Sequence, residues 1–183
     1  MSAAPDVPVR AVKRSFGERL FGAARLDIDV YEEVEADTSA TGQAGLVVCL
    51  SAVSLAIGSH QAGLTFVGAT LLREILSWLI WSGITYLIGD KMLRGTATWG
   101  ELLRTIGFAQ GPGLFYCLRA IPVLDTPVRA VVAAWKLVAV IVAIRQALDF
   151  GTGKAIATAL LGFIVYVGLA IVQALLLGVS FGP

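Results

Sequence analysis

The chain has 183 residues, a formal net charge of +1, 57% hydrophobic and 15% charged residues, and a mean hydropathy of +0.81. Soluble domains carry about 25% charged residues, so this composition excludes an ordinary water-soluble fold, and the near-neutral balance gives no basis for a nucleic-acid partner. With no visible duplication, one domain is the default. Cys49 and Cys117 each lie inside an apolar block, without the cysteine-rich framework that would suggest a disulfide.

Residues 1–37 read as a polar cytoplasmic tail. Eight of the thirteen acidic residues and five of the fourteen basic ones precede Ser39. The first apolar run begins near Ala44, behind this charged tail, so no cleavable signal peptide is expected. In "KRSFGERLFGAARL", Phe16, Leu20 and Ala24 recur every four residues, and Lys13, Arg14, Arg19 and Arg25 supply positive charge. Two readings stand: an amphipathic helix lying on an anionic membrane face, or a surface helix packed on cytoplasmic loops. The acidic "DIDVYEEVEADTSAT" comes next, where Asp37 or Thr38 suits an N-cap for the first membrane helix.

Residues 38–183 then hold five apolar blocks, about 41–57, 64–89, 102–121, 126–148 and 155–181. Each is near or above the roughly 20 residues that cross the hydrocarbon core as helix. The blocks are continuous rather than alternating, which argues against a membrane β-barrel. The predicted fold is therefore all-α, a bundle of five transmembrane helices. With the N-terminus inside, the cytoplasmic segments hold Arg10, Lys13, Arg14, Arg19, Arg25, Lys91, Arg94, Arg104, Arg145 and Lys154; the outside holds Arg73, Arg119 and Arg129. That bias predicts a cytoplasmic N-terminus and an outside C-terminus.

Within the blocks, Trp78 and Trp81 share a face of the second helix, and Trp99 suits an interfacial anchor. His60, the single histidine, lies in a short outside loop with no second ligand type beside it, so no metal site is expected. The third block contains "GFAQGPG". Gly107 and Gly111 allow close helix approach, and Pro112 removes a backbone donor, predicting a kink or break at Gly111 and Pro112. Gln110 sits beside it. A packed kink and a broken-helix transport site are both compatible with this pattern. Lys136 lies inside the fourth block, and Glu74, at matching depth in the second, is its candidate partner; snorkelling of Lys136 to a surface is the alternative.

The stretch "ALDFGTGKAIA" imitates two nucleotide signatures. A phosphate-binding loop would need glycine where Leu148 stands and Ser or Thr where Ala155 stands. The kinase-like Asp149-Phe150-Gly151 lacks the catalytic loop, glycine-rich loop and strand lysine that give it meaning. No nucleotide and no cofactor are expected. The physical reading is a short turn between the fourth and fifth helices, with Gly151 and Gly153 supplying backbone freedom and Asp149 and Thr152 available as caps.

Polar residues gather at the cytoplasmic side: Asp37, Thr41 and Gln43 entering the first helix, Glu101 and Arg104 entering the third, and Arg145, Asp149 and Lys154 between the fourth and fifth. Arg104 or Arg145 with Asp149 or Asp37 are the expected pairs. Such a cluster either fixes helix order or contacts partners and lipid headgroups.

The segments "YEEVEADTSATGQA", "WLIWSGITYLIG", "TATWGELLRTIGFAQGP" and "IRQALDFGTGKA" together resemble the bacterial branch of the Yip-domain membrane proteins, over nearly the whole chain from about Phe16. The resemblance implies five spans and a cytoplasmic N-terminus. Eukaryotic relatives bind Rab-type GTPases and carry an Asp-Leu-Tyr-Gly-Pro motif in a longer tail; that motif is lacking here, so GTPase binding is not carried over. The sequence thus points to a non-catalytic scaffold or interaction protein of the bacterial inner membrane. Its expected partners are membrane lipids, other membrane proteins or itself. A small transporter or channel using the third helix is the alternative.

Overall fold

In a computed structural model of the chain, residues 13–61 and 63–176 are described, with side chains as far as 168. They form α1 (Phe16–Ala24), α2 (Ile28–Ala36), α3 (Thr41–Gly58), α4 (Leu64–Tyr86), α5 (Trp99–Phe108), α6 (Asp125–Ala147) and α7 (Thr152–Leu176), with no strand among them. A π-helical turn, Leu87–Met92, extends α4. Arg10 and the last residues of the fifth predicted block lie outside the described residues.

Three stretches are long and apolar enough to cross a membrane: Thr38–Gly58, Leu64–Met92 and Pro122–Ala147; Thr152–Gly168 is a shorter apolar helix. The third predicted block is not one continuous α-helix. α5 stops at Phe108, and a 3₁₀ helix runs over Gly111–Ala120 with Pro112 in its first turn. Proline has no N–H to continue the α-helical ladder. At about 1.5 Å per α-helical residue and about 2.0 Å per 3₁₀ residue, the two pieces together reach roughly 35 Å.

A 3₁₀ run of this length needs outside support, and α3 supplies it. The Ser54 hydroxyl accepts the Cys117 N–H at 2.8 Å and donates to the Leu114 carbonyl at 2.5 Å. The facing residues of α3 are small. A Cβ on Gly58 would collide with the Tyr116 carbonyl, and Gly107 lies against Ala44. Irregular backbone persists at membrane depth where protein buries and satisfies it.

The same contacts give the helix directions. Ala44 opposes Gly107, Ser51 opposes Gly113 and Gly58 opposes Tyr116, so α3 and the third segment run parallel. α4 runs against them: the Trp78 indole N–H donates to the Leu103 carbonyl at 3.0 Å, while the later Gly83 faces Trp99. α6 runs against the 3₁₀ helix, with Arg119 on Asp125 at 2.8 Å and Phe115 stacked on Trp135. α7 reverses again, placing Gly162 by Ile84 and the Tyr166 hydroxyl 2.9 Å from that of Ser77.

α1 and α2 form a hairpin inserted into one end of this bundle. Ser15 and Glu18 close a capping box on α1, and Asp27 caps α2. Val30 packs against Gly22, and the buried Tyr31 hydroxyl donates to the Ala23 carbonyl at 3.1 Å. Ala23, Val30, Tyr31 and Val34 share one core with Leu102, Ile106 and Ile144. The hairpin reaches far in: the indole N–H of Trp135, near the midpoint of α6, donates to the Ala24 carbonyl at 2.7 Å. α1 thus packs on the bundle through Arg19, Gly22 and Ala23, while Phe21 stays exposed on its other side.

The turn after α6 is a Schellman motif, with Phe150 N–H on the Arg145 carbonyl at 2.9 Å and Asp149 N–H on that of Gln146 at 3.1 Å. Its left-handed residue is Asp149, φ 52°, and neither Gly151 nor Gly153 has a positive φ. The predicted use of those two glycines is thereby corrected: aspartate tolerates this conformation through local hydrogen bonding.

Candidate functional site

Two polar regions stand out. The first joins the hairpin to α3. Arg19 exposes none of its side chain. Its guanidinium donates to Glu33 through Nε at 3.0 Å and Nη2 at 2.7 Å, to Asp37 at 2.8 Å and to Gln43 at 3.0 Å. Lys13 adds a 2.7 Å contact to Asp37, and Arg14 one of 2.7 Å to Glu33. Hydrogen bonds from Lys13 and Ser39, with Arg19 behind them, hold the Asp37 carboxyl well below the usual carboxylate range. Asp37 also caps the 3₁₀ turn Thr38–Ala40, accepting the Ser39 N–H at 3.1 Å. Thr41 opens α3 and donates to the Thr38 carbonyl at 3.1 Å.

Arg104 pairs with neither Asp37 nor Asp149. It donates through Nε to the carbonyls of Val34 and Glu35, each at 3.0 Å, and through Nη2 to Glu35 as well. These carbonyls end α2, where the helix lacks partners for them and a cation is favourable. Glu101 is occupied in a capping box with Thr98. Arg145 donates to Gln146 at 3.1 Å, and Gln146 reaches Glu32 at 3.0 Å. Asp149 accepts the Thr96 hydroxyl at 2.7 Å, and the Lys154 ammonium stands 5.2 Å from the centre of the Phe150 ring. The predicted polar residues thus occupy one end of the bundle in several separate contacts. Beside them Glu35, which the sequence alone does not single out, is stressed: burial, then the nearby charges of Glu101 and Asp149, push its carboxyl up to about 7 against the opposing pull of Arg104.

The second region is a cavity of about 370 Å³ enclosed by α3, α4, the broken third segment, α6 and α7. Glu74, Lys136, Gln110, Ser51, Tyr116 and the Ser77–Tyr166 hydroxyl pair supply its polar groups. Glu74 and Lys136 both line it without forming an ion pair. Glu74 is bound instead by Arg73 at 2.9 Å. The Lys136 ammonium lies 5.6 Å from the centre of the Tyr116 ring and has neither hydrogen-bond nor ion-pair partner among the described residues. Gly111 and Pro112, both buried, sit where the third segment turns past the cavity; Gly111 receives Leu20 of α1.

A family model, the Yip1 domain, matches residues 30–173. The chain belongs to the Yip1 domain family. No curated protein and no solved structure matches it. This Yip1 domain protein is an all-helical membrane protein. The matched span includes both lining charges of the cavity and all three side-chain acceptors of Arg19, and it starts within α2.

Arg19, Glu33 and Tyr31 were not legible as a site from sequence, nor was Ser54 as the support of the broken segment. Only the Ser15-to-Glu18 spacing offered a signal, since it fixes the start of α1 and hence the face on which Arg19 falls.

Proposed function

We propose that this Yip1 domain protein is a non-catalytic scaffold of the bacterial inner membrane. It has five spans, a cytoplasmic N-terminus and an outside C-terminus, and its polar end contacts other membrane proteins, lipid headgroups or a second copy. The observation that carries this reading is the hairpin locked onto one end of the bundle by Arg19 and Arg104. It produces a rigid polar platform on which Glu32, Lys91, Arg94, Asp149 and Lys154 remain exposed. α5 and its 3₁₀ extension are together long enough to count as the third span.

The test is quantitative crosslinking in native membranes with wild type and with the exposed-site variant Asp149→Asn/Lys154→Gln. Loss of specific crosslinked neighbours in the variant is expected, and an unchanged neighbour set sinks the platform. An impermeant amine reagent should label Lys91 and Lys154 from the same side of the membrane; labelling from opposite sides removes the five-span topology.

A second reading has its own observation. The cavity is lined by Gln110 beside the broken helix and by Lys136, which is the arrangement a small transporter or channel would use. Reconstituted protein should then pass protons or small ions, detected with a pH-sensitive dye, and Lys136→Met should abolish the flux. Leakage no greater than in protein-free vesicles removes this reading.

A further inference from the structure

We propose that the central cavity is a binding site for the anionic head of a membrane lipid, with Lys136 as the group that receives it. Lys136 stands at the midpoint of α6 and Glu74 close to the midpoint of α4. An ionised side chain at that depth is costly and normally has a partner. Glu74 has one in Arg73, which neutralises it. Among the described residues Lys136 has only the face of Tyr116, and cation–π attraction supplies no countercharge. With Arg73 on Glu74, Lys136 is the charge lining the cavity that no opposite charge contacts among the described residues. Beside it are hydroxyl and amide groups able to donate to an oxyanion: Ser51, Gln110, Tyr116 and the Ser77–Tyr166 pair. The indole N–H of Trp81, another wall residue, has no acceptor among the described residues.

The walls decide what kind of anion fits. Val48, Trp78, Trp81, Ile106, Val140 and Phe163 are apolar. The exposed wall residues are Ala133 and Leu137 on α6 and Phe163 on α7, with Leu137 57% and Phe163 56% exposed. The rim is thus apolar and belongs to helices whose outer surfaces face hydrocarbon. A small soluble anion gains nothing along that route. An amphiphile keeps its chains in the bilayer while its head meets Lys136. The volume accommodates a head group and leaves the acyl chains outside the rim.

The test is native mass spectrometry of the full chain released from nanodiscs holding equal amounts of phosphatidylglycerol and phosphatidylcholine. Wild type should retain one phosphatidylglycerol with at least tenfold preference. Lys136→Met should lose the preference, Lys136→Arg should keep it, and the variant Arg129→Gln, at an exposed basic residue outside both the cavity and the platform, should be unaffected. Thermal unfolding in detergent checks that Lys136→Met is folded; removing a half-buried cation that no carboxylate contacts should leave its Tm unchanged or higher. Equal retention of both lipids by wild type, or an undiminished preference in Lys136→Met, overturns the proposal. So does a thermal stabilisation by inorganic phosphate matching that by phosphatidylglycerol, since the ligand would then be a soluble anion. Failure here leaves the platform untouched, because that reading is measured by crosslinking at Asp149 and Lys154.

Discussion

The junction around Arg19 and the cavity around Lys136 each hold a basic side chain, fully buried in the first and half-buried in the second, and they treat it in opposite ways. Arg19 meets two carboxylates and an amide oxygen in a fork geometry, with Lys13 and Arg14 balancing the remaining negative charge. Lys136 meets an aromatic face, while Glu74, which lines the same cavity, is held by Arg73. A satisfied network fixes one arrangement of helices. A half-buried charge with no ionic partner among the described residues adds nothing to that arrangement, which is what the proposed lipid site requires.

The largest effect that separates the two regions is expected at the junction. Arg19→Met removes hydrogen bonds to Glu33, Asp37 and Gln43, leaving Arg14 on Glu33 and Lys13 on Asp37, and should cost about 3 kcal/mol, seen as a large fall in Tm followed by tryptophan fluorescence in detergent. Lys136→Met, by contrast, should lose nothing; equal destabilisation of both variants would erase the distinction. Next comes Gly58→Ala, whose Cβ meets the Tyr116 carbonyl rather than a yielding side chain; about 1–3 kcal/mol is expected from the forced shift. Ser54→Ala leaves the Cys117 N–H and the Leu114 carbonyl without their hydroxyl, for about 1–2 kcal/mol. A neutral Ser54→Ala would mean that the 3₁₀ backbone finds support elsewhere.

The smallest effect belongs to Glu35. Its folded-state carboxyl, raised to about 7 from an ordinary 4.5, keeps a proton that the unfolded chain has released. Its contribution to stability is therefore fullest below the unfolded value and fades as pH rises through about 7. Wild type should lose a little stability across that window, and Glu35→Gln should flatten the slope. A slope that survives in Glu35→Gln would assign it to another group.

The apolar blocks made the all-helical membrane class readable, because hydrocarbon tolerates few backbone arrangements and each needs a long apolar run. The chemistry of proline likewise marks where α5 cannot continue. The conformation of the segment beyond Pro112 was not readable, since a 3₁₀ helix has no strong apolar period of its own and depends here on a serine from another helix. The surroundings of Arg19 were hidden for a similar reason. Its acceptors lie 14 to 24 residues away, and periodicity on α1 says nothing about which of them converge. At Lys136 the depth could be counted from the helix ends. The competition from Arg73 could not, because neighbours in sequence on a helix point in different directions.

The bond between Trp135 and Ala24 joins residues 111 apart, and the one between Gln146 and Glu32 joins residues 114 apart. The hairpin can therefore meet Gln43 of α3 and Arg104 of α5 early, but its contacts with α6 close only after that helix has been made. Translation past Gln146 is thus needed before the amino-terminal helices have every contact of the finished bundle.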